Sequence, residues 1–245
     1  MLDLNNKVAI VTGSSSGIGK EIATKLAQRG ARVVVNSSKS ESTGQEASKS
    51  IPNSKYFKAD ISNESDCRAL IDFTVNEFGR LDILINNAGI TRLIAHNDIE
   101  SADVSVWKEI FDVNVFGTWQ MCSLAYQHLE KTGDGNIINV SSIASLRPTG
   151  SSIPYATSKA AVNHMTKLLA KTLGPNIRVN AVAPGLIETP WTQDWEIAHQ
   201  IVAGQAPLKR SGTPEDVACV VMGLIDSKYV TGEVILADGG WSLNS

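Results

Sequence analysis

Short unbroken apolar runs alternate along the chain with longer segments whose apolar residues recur every three to four positions. Residues 7–12 (KVAIVT), 32–36 (RVVVN), 54–60 (SKYFKAD), 81–85 (LDILI), 135–141 (GNIINVS) and 176–183 (NIRVNAVA) are of the first kind. Runs of this length rich in Val and Ile suit strands covered on both faces. Between them, residues 18–29 carry Ile18, Ile22, Ala23, Leu26 and Ala27 at helical spacing, and Gly30 ends the helix. Further helices are expected at 42–50, at 64–78 before Gly79, and at 155–173. A long one at 104–129 should bury Trp107, Ile110, Phe111, Val115 and Leu124. Thr213-Pro214-Glu215-Asp216 reads as a capped helix start, and a seventh apolar run at 234–236 closes the series. Strands alternating with helices predict an α/β protein with a doubly wound parallel sheet of about seven strands and helices on both faces.

Length alone leaves one domain or two open, but no Pro/Gly/Ser-rich linker or charge run divides the 245 residues, so a single domain over 1–245 is expected. Hydrophobic content of 42% and charged content of 19% are ordinary for a globular protein. A net charge of −3 with both signs mixed argues against a nucleic-acid or anionic-membrane surface. The first residues, MLDLNNK, lack a cationic region followed by an apolar stretch, and no window nears ~20 uninterrupted apolar residues, so a cytoplasmic protein with no membrane partner is expected. Cys67, Cys122 and Cys219 are scattered and read as buried thiols. His96, His128, His164 and His199 share no metal-ligand spacing, and no metal is expected.

The candidate chemistry collects at the carboxyl ends of the runs. Thr12-Gly13-Ser14-Ser15-Ser16-Gly17-Ile18-Gly19 joins the first strand to its helix. Glycines let backbone approach a pyrophosphate, and the helix N-terminus favours its charge. At the tip of the second strand stand Asn36, Ser37, Ser38 and Lys39 with no carboxylate, which favours NADP(H) over NAD(H), unless Lys39 is only a solvated loop lysine. Asp60 either accepts from an adenine amino group or caps the next helix. Asn86-Asn87-Ala88-Gly89 ends the fourth strand, with amides that can fix turns and small residues that let a ribose lie close. Asn114 interrupts an apolar stripe and is either a core tie or part of a hydrogen-bond relay. Ser142 follows the fifth strand, and Pro184-Gly185 breaks the sixth before a loop bearing Thr189. Trp191 and Trp195 begin a short helical segment to Pro207, within a candidate lid at about 186–207. Tyr155 and Lys159, four apart, fall on one helix face, where a nearby ammonium would lower the phenol's pKa.

Together these motifs resemble the classical short-chain dehydrogenase/reductase family along nearly the whole chain: TGSSSGIG at 12–19, Asp60, NNAG at 86–89, Asn114, Ser142, YATSK at 155–159, PG at 184–185 and TGEVILADGG at 231–240. NNAGITR at 86–92 is similar to bacterial 3-oxoacyl-carrier-protein reductases, although Ser16 stands where NADP-using relatives often carry a basic residue. The resemblance implies a Rossmann fold and hydride transfer between a nicotinamide and a carbonyl or secondary alcohol of a small molecule. Asn114, Ser142, Tyr155 and Lys159 would be catalytic. Gly13, Ser15, Ser16, Gly17, Ile18, Gly19, Ser37, Ser38, Lys39, Asp60, Ile61, Asn87, Ala88, Gly89, Tyr155, Lys159, Pro184, Gly185 and Thr189 would bind cofactor. It further implies a homotetramer, or a homodimer. The competing reading is a nucleotide-binding scaffold that has kept the fold without turnover.

Overall fold

The computed structural model describes residues 3–244. All seven apolar runs form strands: β1 (Val8–Val11), β2 (Arg32–Ser37), β3 (Ser54–Lys58), β4 (Ile83–Asn86), β5 (Gly135–Val140), β6 (Ile177–Pro184) and β7 (Val234–Ala237). They make one parallel sheet in the order β3-β2-β1-β4-β5-β6-β7. The helices are α1 (Gly17–Gln28), α2 (Glu41–Ser50), α3 (Glu64–Phe78), α4 (Val104–Phe111), α5 (Thr118–Glu130), α6 (Ile153–Leu173), α7 (Glu196–Gln205) and α8 (Pro214–Asp226). None among the described residues is long and apolar enough to cross a membrane.

Both faces of the strands are apolar because helices cover both. Ala9, Val11, Val33, Val35, Ile83 and Ile85 pack with α1 and α8, whereas Ile10, Val34, Leu84 and Ile137 pack with α3 and α5. The strand order reverses at β1, which opens a crevice beyond the carboxyl ends of β1 and β4, the place where such sheets bind ligands. At the opposite edge buried Asp82 accepts from Lys7 Nζ (3.1 Å), Val8 N (3.0 Å) and Arg80 Nε (2.7 Å), pinning β4 to β1.

Three expectations change. The helix expected at 104–129 runs on from Val104 to Glu130 but contains a π-turn at Asp112–Gly117, and of its five apolar positions expected inside only Ile110 is fully buried. The helix carrying Tyr155 starts two residues earlier, at Ile153, because Ser152 caps it and Pro154 fits its first turn. The 191–207 segment is a short helix at Glu196–Gln205 with non-helical ends, as expected, Trp191 lying in the preceding turn and Trp195 at its N-cap. Finally, Cys67 and Cys122 are buried but Cys219 is exposed, since Val217, Ala218, Val221 and Met222 take the inward face of α8.

Candidate active site

The glycine turn after β1 is built to lie against the end of β4. Gly13 has φ +62°, and a Cβ there would stand 2.8 Å from Ala88 Cα; one at Gly19 would stand 2.4 Å from Asn87 Nδ2. Side chains then lock the two segments together. Thr12 Oγ1 accepts from the backbone N–H of Asn87 and of Ala88 (both 3.0 Å), and Asn87 Nδ2 donates to the carbonyls of Thr12 (3.0 Å) and Gly13 (2.9 Å). Asn36 N donates to Ser14 Oγ (3.0 Å), and Asn36 Oδ1 accepts from Gly13 N (3.3 Å). The turn, the β2 tip and the β4 end thus form one braced piece.

Helix α1 leaves this piece without a side-chain cap at Ser16, whereas α3, α4, α6 and α8 are all capped by side chains. An uncapped N-terminus beside close-packed glycines suits a pyrophosphate. Ser15 and Ile18 are half-buried there and Ser16 is exposed. Thr189 approaches from the far side: a Cβ on Gly17 would lie 3.3 Å from its Cγ2.

At the β2 tip Ser37 is buried, with Oγ donating to Ser40 O (3.0 Å) and lying 3.0 Å from the Tyr56 hydroxyl, while Ser38 and Lys39 are exposed. Asp60, beyond β3, accepts from Ser62 N (3.0 Å) and Ser62 Oγ (2.7 Å) through one oxygen. It does not cap α3. Asn63 does, accepting from Ser65 N (2.9 Å), because a cap must immediately precede the helix and Asp60 lies too early. Ile61 is buried against the π-turn, where a Cβ on Gly117 would come within 2.9 Å of Ile61 Cδ1 and of its carbonyl. Pro184 and Gly185 end β6 at the same edge, with Gly185 close against Asp238.

The four candidate catalytic residues converge. Lys159, 5% exposed, donates from Nζ to the carbonyl of Val140 at the end of β5 (2.9 Å), and its Nζ lies 5.8 Å from the centre of the Tyr155 ring. A Cβ on Gly89 would stand 3.4 Å from Lys159 Nζ and 3.2 Å from Asn114 Oδ1. Buried Asn114 is tied on every side: Oδ1 accepts from Ile90 N (2.8 Å), and Nδ2 donates to Ile90 O (3.0 Å) and Ser158 Oγ (3.0 Å). Ser142 caps a single 3₁₀ turn, accepting from Ala144 N, and its hydroxyl acts to lower the pKa of the Tyr155 phenol. Trp191 meets the Tyr155 ring edge-on, with ring centres 6.4 Å apart.

The expected lowering of the Tyr155 pKa is not found. Burial raises it above the ordinary phenol value, and the Ser142 hydrogen bond opposes this only in part. Burial also drops Lys159 to about 8, which leaves it mostly charged at neutral pH. Burial thus favours the protonated phenol. That is the form that donates a proton to a carbonyl oxygen, beside a hydroxyl that can bond the same oxygen.

Sequence reasoning passed over Thr12 and Ser14, which brace the glycine turn, and Ser158, which holds Asn114. A hydroxyl at the last strand position before a glycine turn was the available signal for Thr12. Nothing local marked the Val140 carbonyl, since any residue supplies one.

The profile of the family described as enoyl-(acyl carrier protein) reductase matches residues 13–242. A Streptomyces violaceoruber protein named as a ketoacyl reductase of the granaticin polyketide synthase is 53% identical over 236 residues, covering 95% of each chain. The 3-oxoacyl-[acyl-carrier-protein] reductase FabG of Thermotoga maritima is 38% identical, covering 97% of this chain and 98% of its own. Among solved structures, a Burkholderia xenovorans protein described as a short-chain dehydrogenase/reductase superposes with a TM-score of 0.89 at 36% identity, covering 97% of this chain and 98% of that one. With the glycine turn, the NNAG segment and the Ser–Tyr–Lys cluster at one sheet edge, the chain belongs to the short-chain dehydrogenase/reductase family of oxidoreductases.

Proposed function

We propose that the protein is an NADPH-dependent reductase converting a ketone, of the 3-oxoacyl thioester class, to a secondary alcohol. The observation that carries the reading is the convergence of Tyr155 and Lys159, with Nζ 5.8 Å from the ring centre, beside Gly89 and the glycine cradle. The cradle fits a dinucleotide, because a Cβ at Gly13 or Gly19 would fill the close approaches on which it depends. Gly13, Ser15, Ser16, Gly17, Ile18 and Gly19 would hold the pyrophosphate. Asp60 and Ile61 would meet the adenine, Asn87, Ala88 and Gly89 a ribose, and Pro184, Gly185 and Thr189 the nicotinamide side. Ser38 and Lys39 would meet a 2′-phosphate; Ser37 contributes less, its hydroxyl proton being given to Ser40. When bound, the nicotinamide supplies or accepts the hydride.

The rest is the work of the chain. Tyr155 gives its proton to the carbonyl oxygen in reduction, and Ser142 donates a second hydrogen bond that orients and stabilises that oxygen. Lys159 holds a ribose and favours the phenolate left behind. Asn114 keeps Ile90 and Gly89 in place. The relatives named as a ketoacyl and a 3-oxoacyl reductase support the substrate class. Exposed apolar residues on the π-turn and its neighbours support a homotetramer.

The test is titration of NADPH and NADH by nicotinamide fluorescence, followed by turnover on 3-oxoacyl thioesters, enoyl thioesters, sugars and secondary alcohols. NADPH preference with 3-oxoacyl turnover is expected, and Tyr155→Phe should keep cofactor binding while losing at least about 100-fold in kcat. Retained activity in Tyr155→Phe would remove Tyr155 as the acid. NADH preference or a sugar substrate would overturn the cofactor or substrate assignment.

A further inference from the structure

Residues 186–212 leave the sheet after β6 and return before α8 as a flap whose root is pinned. Gly212 N donates to Leu186 O (2.9 Å), and Glu188 N donates to Gly212 O (2.9 Å). Within it Thr192 Oγ1 donates to Ile187 O (2.5 Å) and accepts from Thr189 N (3.2 Å). That tight turn presents Thr189 to Gly17 and Trp191 to Tyr155. One imidazole then cross-braces the flap. His199, on α7, has Nε2 3.1 Å from Thr192 O and Nδ1 2.7 Å from Ser211 Oγ, and Ser211 is itself 4% exposed. A carbonyl only accepts, so Nε2 donates to Thr192 O, and Nδ1 pairs with the Ser211 hydroxyl, which can donate or accept.

We propose that His199 is a positioning residue for catalysis: by joining Thr192 to Ser211 it fixes the turn that sets Thr189 over the cofactor cradle and Trp191 over the reacting carbonyl. The proposal rests on the reading of the cleft as a nicotinamide-dependent carbonyl site. His199 touches neither reactant. It acts through a turn whose two outer residues face the phosphate end and the chemical end of the cleft.

The experiment compares His199→Ala and His199→Gln with the wild-type protein by cofactor Kd, by KM and kcat on the substrate turned over, and by limited proteolysis within 186–212. For His199→Ala, Kd and KM rise three- to tenfold, flap cleavage accelerates, and the pH profile of kcat is unchanged. In His199→Gln, whose amide can donate to Thr192 O and accept from Ser211, most of the affinity returns. Wild-type Kd, KM and cleavage in His199→Ala would overturn the proposal. So would a defect that Gln fails to rescue and that comes with cleavage throughout the chain, which marks a merely structural role. Flap cleavage needs no substrate, so it remains decisive even if Tyr155→Phe sinks the functional reading.

Discussion

Burial acts on Lys159 and Tyr155 in the same physical sense, favouring each group's neutral form, and this has a measurable consequence for Lys159. Its proton is held with a pKa of about 8 in the folded protein against 10.5 for the free side chain. The cost of burying the ammonium is therefore fully present below pH 8 and relieved as pH rises toward 10.5. The unfolded chain binds more protons in that window, so this group's contribution to stability increases with pH there, by up to about 3 kcal/mol. Lys159→Met should flatten the slope, which urea melts of both proteins at pH 7.5 and 9.5 would reveal; equal slopes would mean that the ammonium is better solvated than its surroundings indicate. Asn114 offers a second residue-scale test. Asn114→Ala strips the partners from Ile90 N and Ile90 O at a buried site, and a loss of about 2–4 kcal/mol is expected in thermal or urea unfolding.

At the scale of elements, the glycine turn after β1 is intolerant of any side chain. Gly13→Ala forces an L-residue to φ +62° and drives a Cβ into the backbone of Ala88 at 2.8 Å, so a destabilisation of about 2–3 kcal/mol and loss of cofactor binding are expected together. Calorimetry and fluorescence titration measure the two separately; unchanged binding would remove the turn from the cofactor site. This element was legible in the sequence as a turn, because glycines stand between a Val/Ile run and a helical pattern, although tight turns of this kind also use glycine without binding anything. The π-turn was not legible. Residues 112–117 (DVNVFG) carry no proline, the flanking Phe111 and Thr118 keep helical angles, and Asn114 is the one interruption of the apolar stripe there. What selects it is tertiary: Asn114 reaching Ile90 and Ser158, and Gly117 admitting Ile61. The N-terminus of α6 lies two residues before Tyr155 because Ser152 supplies the cap and Pro154 suits the first turn. Asp60 was weighed as a cap although Asn63 holds the correct position.

For the whole molecule, the parallel sheet and the burial of both faces follow from the alternation of runs, but the strand order and the exposed apolar residues do not. Phe116 is 52% exposed, Trp119 49% and Leu168 55%, on the π-turn, α5 and α6, the elements that also carry Asn114, Tyr155 and Lys159. Aromatic residues left this open are a cost to an isolated chain, and self-association would remove it. The wild-type protein should therefore sediment as an oligomer at micromolar concentration, of four chains where the family resemblance holds. Phe116→Glu/Trp119→Glu, placing carboxylates where apolar surface would be buried, should sediment as smaller species. Because the same π-turn fixes Asn114 and through it Gly89, dissociation should also reach the site: the variant's cofactor affinity should fall severalfold, and wild-type specific activity should decline on dilution below the assembly constant. A wild-type protein that sediments as a single chain, with activity proportional to concentration, would show instead that these aromatics are tolerated surface and that the cleft is complete within one chain.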